Sequence, residues 1–460
     1  MRRRQFLSRS LAFSAMAGLS TRRAFAEQPP GWDQVPGILA RIVPPVFPDR
    51  DFDITEFGAR GDGVTDSNPA LVAAIAACSE AGGGRVVVPR GIYLSNGPIH
   101  LLSNVNLSLA DQATILFGVD PEDYLPLVEV RWQGIRCYNY SPLIYAVGQE
   151  NIAVTGPAAG SALIDGQAVT GWGLWGDSRQ DEDWAVLQSM ANDGLPVEER
   201  IFGPGHYLRP TMFEPYQCRN VLVDGVTFHG SPFWTIHPTF CSNVTIRNVT
   251  VFPGVTNDDG CDPDSCQGVL MEGCSFYTAD DNVSIKAGSG PDAVGLPACT
   301  DIVIRDCHCL GSGWSGFTMG SSTTGGIENV FIENCTANRC IAAFYVKSNS
   351  DWGGMVRNVW IRDSRVEHCH HLFLLQTDYD GIGDGPNPPL YESLHMREVS
   401  CGDASVSAFW FDGDPRQPIR DVDLIDIAIH STVKLQLIDN TVGLYATGIT
   451  LDGKKVTVAA

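Results

Sequence analysis

The chain has 460 residues, is rich in glycine (48), and carries few charged side chains (18%). That composition favours β structure with many turns over a helix bundle. Six arginines and no acid fall in positions 1–26, which leaves 25 basic and 53 acidic residues beyond them, a net charge of −28, and argues against nucleic acid or a membrane surface as a partner.

Residues 1–26 read as a twin-arginine signal peptide. Arg2, Arg3 and Arg4 precede Gln5-Phe6-Leu7, a short apolar run follows from Leu11 to Leu19, and Ala24-Phe25-Ala26 is a small-x-small cleavage site. The run is too short to span a bilayer. A periplasmic or secreted location is expected, with folding before export. Residues 27–50 are rich in proline without periodicity and read as an arm lying on the surface or against a neighbour.

Residues 51–460 are expected to form one domain. It opens with an amphipathic helix, capped by Asn68, with Pro69 at its first position and Leu71, Ala74, Ile75 and Cys78 on one face. Gly82, Gly83 and Gly84 end it, and Arg85 to Pro89 form a strand. A single helix before a long β array suits a cap over an open solenoid end, where apolar stacks and strand edges need cover.

A degenerate repeat follows. Its copies include Asn220-Val-Leu-Val-Asp224, Asn243-Val-Thr-Ile-Arg247, Gly268-Val-Leu-Met-Glu272, Asp301-Ile-Val-Ile-Arg305, Asn329-Val-Phe-Ile-Glu333 and Asn358-Val-Trp-Ile-Arg362, with earlier copies at Asn104 and Asn151. Steps of 23, 25, 33, 28 and 29 residues are too short to bury a core singly. Stacked coils bury one in common, so the expected fold is all-β, a single-stranded right-handed parallel β-helix with a short N-terminal capping helix. The spaced leucines of a leucine-rich horseshoe are absent, and a β-propeller needs longer repeats. Cysteines recur in register at Cys218, Cys241, Cys266 and Cys299, and again at Cys274, Cys307 and Cys335. They read as stacked buried thiols rather than a disulfide framework.

The chemistry concentrates in Asn257-Asp-Asp-Gly-Cys-Asp-Pro-Asp-Ser-Cys266 and Thr278-Ala-Asp-Asp-Asn282. Asp259 and Asp281 are 22 residues apart, close to one coil, so both project from adjacent coils to one surface. Like charges held together raise one another's pKa. Such a cluster can keep one acid protonated beside an ionised base, as glycoside hydrolysis requires. Two other readings are calcium binding and turn capping, the latter expected for Asp262 and Asp264.

These motifs resemble the family-28 glycoside hydrolases, the polygalacturonase-like group. The resemblance extends to residues 53–66, 131–145 and Ser231-Pro-Phe-Trp-Thr-Ile-His-Pro238. It implies an inverting hydrolase of pectin-like polysaccharide or its oligosaccharides, of polygalacturonan or rhamnogalacturonan type. Asp280 is then the general acid, and Asp259 and Asp281 activate water. Lys347 would bind a substrate carboxylate, and Tyr379 would line a subsite. Apart from the resemblance, His237 and Trp234 are candidates for the sugar side of the cleft, with Trp234 reading equally well as core. Two positions depart from the family. Ser312 stands where a histidine is usual, and Tyr345 where an arginine is usual. Tyrosine cannot grip a carboxylate with two parallel bonds, so a neutral sugar on the leaving side becomes plausible.

The insertion from Gly171 to Gly205 would wall one end of a groove and favour exo action. His368, His370 and His371 lack metal-ligand spacing, and neither metal nor cofactor is expected. Two rival functions share the fold: a calcium-dependent pectate-lyase-like enzyme, and a non-catalytic carbohydrate-binding β-helix.

Overall fold

The computed structural model describes residues 31–157, 161–311 and 313–459. The signal-peptide reading and Ser312 lie outside the described residues. The chain winds as a right-handed parallel β-helix. One ladder of 13 strands runs from Asp51–Asp53 to Thr441–Thr447, and the repeat units of the sequence are its rungs. Register is strict: Ile152, Val221, Val244, Val269, Ile302, Val330, Val359, Leu394 and Val422 pair in succession. All nine are buried, so alternation along each strand becomes a continuous apolar column along the axis.

The polar residue that opens each unit has a geometric task. Asn104, Asn151, Asn220, Asn243, Asp301, Asn329 and Asn358 all adopt φ between 54° and 65°, and Gly268 has φ 74°. Only glycine and, at modest cost, Asn or Asp take the left-handed region readily. The amides also bond to one another, with Asn151 Nδ2 on Asn104 Oδ1 at 2.8 Å, Asn220 on Asn151 at 2.8 Å and Asn243 on Asn220 at 2.6 Å. All fourteen cysteines are buried thiols.

The N-terminal helix spans Asn68–Glu80 and buries Ala70, Leu71, Ala74, Ile75 and Cys78. Ser67, not Asn68, is its N-cap. Asn68 is the first helical residue, and its amide instead ties the helix to Ser95, Gly97 and Pro98. The arm is described from Gly31 onward. Val35, Ile38 and Ile42 pack on Val303 and Phe331, so it lies on the outer face of the 13-stranded ladder.

A second ladder carries the functional face. It runs through Phe213–Tyr216, single bridges at Ile236, Thr239, Cys261 and Asp264, then Val283–Ile285, Ser315–Met319, Cys340–Lys347 and Arg365–Gln376. Phe317, Phe344, Phe373 and Phe409 stack inward along it. By the period of two, Tyr345 and Lys347 then point outward. An antiparallel hairpin, Val128–Trp132 with Ile135–Asn139, covers the N-terminal part of this outward face. Its two-residue turn, Gln133-Gly134, has both φ values positive, as the twist of a tight hairpin requires. A Cβ on Gly134 would lie 2.6 Å from Ser289 Oγ, so the tip is wedged into the coils.

Candidate active site

Asp259 lies two residues ahead of Cys261, and Asp281 two ahead of Val283, and these two residues bridge adjacent coils. Their 22-residue separation is therefore one coil, and both arrive at the same place on successive rungs. Asp280 precedes Asp281 on the same turn. Asp258 shapes that turn: its carboxylate accepts from the backbone N–H of Gly254 (2.8 Å), Ala279 (2.9 Å) and Asp280 (3.0 Å). The outcome is that oxygens of Asp259, Asp280 and Asp281 lie within 4.8 Å of one another.

Two ammonium groups enter the cluster. Lys347 Nζ sits 2.9 Å from Asp281 Oδ2, and Lys286 Nζ sits 3.3 Å from Asp259 Oδ2. Ser315 Oγ donates to the other oxygen of Asp281. The rings of Tyr379 and Tyr345 flank Lys347, at 4.9 and 5.2 Å from its nitrogen, and Trp234 lies 4.2 Å from that of Lys286. Asp280 has different surroundings. Its Oδ1 accepts from the N–H of Asp281 at 2.8 Å, and the amide of Asn257 approaches its Oδ2 at 3.4 Å.

This asymmetry separates the three acids. Burial and the charges of Asp259 and Asp281 push Asp280 up to about 8, against the pull of Lys347. Burial raises Asp259 to about 6, opposed by Lys286. Burial acts on Asp281 too, but Lys347, Lys286 and Ser315 outweigh it and hold that carboxyl below its usual value. Near neutral pH the cluster thus keeps a protonated Asp280 beside an ionised Asp281, a donor and a base in one place. Two of the three carboxylates already have an ammonium partner, which a calcium site would need free.

The structure brings together Asp259, Asp280, Asp281, Lys347, Tyr345 and Tyr379. Lys347 is committed to Asp281, which sequence reasoning did not foresee. Tyr345 is buried and its hydroxyl donates to Gln376 Oε1. His237 does not line a cleft. It is wholly buried, with Nδ1 3.8 Å from Glu214 and Nε2 3.6 Å from Asp264. Its position does face outward, but the hairpin lies on top of it. Trp234 is buried likewise. Asp264 does cap a turn, accepting the backbone N–H of Gly288 at 3.0 Å, whereas Asp262 does not. Asp264 receives Arg131 Nη1 at 2.9 Å from the hairpin, and Asp262 faces Lys286 at 3.9 Å. His371 bonds to Ser407 at 2.8 Å, while His368 turns to Asp403.

The insertion forms a helix, Asp177–Asn192, that leans on the site. Gln180 Nε2 donates to Asn257 Oδ1 at 3.1 Å, and Arg209 reaches the same oxygen at 3.3 Å. Asn257 therefore connects this wall to Asp280. Lys286 and Ser315 were the residues sequence reading passed over. The signal was there: Lys286 directly follows the strand Val283–Ile285 and by alternation points outward, bridging Asp264 on the preceding coil.

Comparison with known proteins agrees with this geometry. The family model described as "Glycosyl hydrolases family 28" matches residues 204–446, and "Rhamnogalacturonase A/epimerase, pectate lyase-like" matches residues 52–108. The solved structure of an exopolygalacturonase from Thermotoga maritima is 36% identical, with 92% of this chain and 96% of that chain covered, at a TM-score of 0.86. A probable polygalacturonase of Vitis vinifera is 25% identical, over 83% of this chain and 74% of its own length. An exo-poly-alpha-D-galacturonosidase of Dickeya chrysanthemi is 24% identical, over 77% of this chain and 62% of its own.

Proposed function

Since the chain belongs to family 28 of the glycosyl hydrolases, we propose that it attacks the galacturonan backbone of pectin from a chain end, by direct displacement with water. It is a glycosidase acting on pectin. The finer reading rests on one observation above others: three clustered carboxylates, of which Asp259 and Asp281 have lysine partners and Asp280 is pushed up to about 8.

Asp280 gives its proton to the glycosidic oxygen as the bond breaks. Asp281 and Asp259 accept from one water and direct it at the anomeric carbon. Both oxygens of Asp281 are already hydrogen-bonded, to Ser315 and Lys347. That blunts Asp281 as a nucleophile but leaves it lone pairs for a water proton. The cluster is tighter than the roughly 6.5–9.5 Å usual for inverting pairs, so the stereochemistry is a direct test of this assignment. Lys347, flanked by Tyr345 and Tyr379, has donors left for a substrate carboxylate.

Exo action is supported by what covers the groove floor. Glu214, His237 and Asp264 belong to the outward face but are at most 1% exposed, because the hairpin with Arg131 lies over them. A polysaccharide cannot run on past that block. The twin-arginine pattern in residues 1–26 supports action outside the cytoplasm, where pectin is met.

The experiment is product analysis on galacturonan and on rhamnogalacturonan. Release of small saccharides from chain ends, each with a new reducing end, is expected. Unsaturated products absorbing in the near ultraviolet would mean a lyase. Tight binding without new reducing ends would mean a non-catalytic module.

A further inference from the structure

A cavity of about 710 Å³ contains none of the residues described above as the active site. It lies within the size range of small-molecule sites. Gln188 and Asn192, at the end of the insertion helix, form one wall. Asp351, Trp352 and Asn387, on the loops after Lys347 and Tyr379, form another. The two loops join cavity and catalytic cluster directly: Asp351 is four residues beyond Lys347, and Ile382, also in the lining, is three beyond Tyr379.

The walls are braced. Gly385 N–H donates to Ser350 Oγ at 2.7 Å, and Arg416 holds the carbonyls of Gly383 and Gly385, each at 2.7 Å. No lysine or arginine lines the cavity among the described residues. The basic side chains nearby are engaged, Arg416 with Asp414 and Arg200 with Asp292. The lining offers three carboxamides, a carboxylate and an indole. Carboxamides both donate to and accept from hydroxyls, and an indole face packs on the C–H face of a sugar ring. A uronate would meet Asp351 with no cation to offset it.

We infer that this cavity binds an uncharged sugar residue of the substrate, a neutral branch or neutral backbone unit next to the Lys347 end of the site. The assignment rests on the pectinase reading and narrows it. It also fits Tyr345, which offers no second cation for a uronate on that side. The enzyme thus recognises a mixed glycan, acidic at the scissile residue and neutral beside it.

The test uses full-length protein carrying Asp280→Asn, titrated by calorimetry with galactobiose, first alone and then while digalacturonate saturates the acidic groove. Saturable binding of galactobiose is expected under both conditions, weakened at least tenfold by Trp352→Ala and by Asn192→Ala in turn. Asn192 ends its helix, so its truncation leaves the fold in place. No saturable binding at millimolar galactobiose, loss of binding when digalacturonate is present, or affinity untouched by Asn192→Ala would each overturn the assignment. Turnover of galacturonan by unmodified enzyme is measured alongside. Failure there, with galactobiose binding as expected, would sink the hydrolase reading and leave the cavity assignment standing.

Discussion

Replacing Asp280 with asparagine should make the protein more stable and nearly inactive. In an unfolded chain this carboxyl ionises near 3.8, whereas in the fold it holds its proton to about 8. Between those values the native state retains a proton that the unfolded state has released. Stability contributed by this group therefore falls as pH rises from about 4 to about 8. At pH 7 the penalty is about 4 kcal/mol, and at pH 4 about half a kcal/mol. Both are upper bounds, because the three carboxylates titrate together. Asparagine keeps the shape, still accepts from the N–H of Asp281, and cannot ionise. The variant should unfold at higher temperature than the parent at pH 7, with the gain gone at pH 4, while kcat falls by about 10²–10⁴. Large β-helices commonly unfold irreversibly, so apparent Tm is compared at one scan rate across pH 4, 5, 6, 7 and 8. A Tm difference independent of pH, or a variant less stable at pH 7, would show that Asp280 is not held protonated, and the general-acid role would fall with it.

The activity profile should be bell-shaped, with an alkaline limb near 8 from Asp280 and an acid limb near 6 from Asp259; a plateau reaching pH 10 would contradict this. Lys286→Met removes the ammonium 3.3 Å from Asp259 and should move the acid limb upward by about one pH unit or more, leaving the alkaline limb in place. Proton NMR during hydrolysis of an α-linked oligogalacturonate should show the β anomer first; initial α product would reveal a covalent intermediate on one carboxylate. Tyr345→Arg restores a second cation beside Lys347 and should raise kcat/KM on polygalacturonate severalfold; no gain would mean that Tyr345 does not set specificity.

The repeat was readable because one position in every coil must enter the left-handed region, and Asn104, Asn220 or Asn329 advertise that need. The acidic cluster was readable because coil length fixes which residues coincide, as with Asp259 and Asp281. What sequence hides is coverage. Alternation places His237 and Asp264 correctly on the outward face, yet Arg131, more than a hundred residues away in sequence, buries them. Lys286 was passed over for a different reason: a lone lysine after an apolar strand reads as solvated, although its outward position one coil from Asp259 was legible. Asn68 was misjudged by one residue: Ser67 holds the cap position without a side-chain cap bond, and Asp66 Oδ1 accepts the N–H of Asn68 at 3.0 Å.

The strict register of the outward ladder has a consequence for tinkering. Lys347 and Asp281 are 66 residues apart in sequence but in contact, because rung stacking sets their distance, and the length of chain looping between rungs does not enter. Closing a loop twice as long adds only about 0.6 kcal/mol of entropy. Each coil is therefore a cassette whose outer loop can be lengthened, shortened or exchanged while the acids stay in place, and new glycan preferences can be grafted onto an unchanged hydrolytic engine.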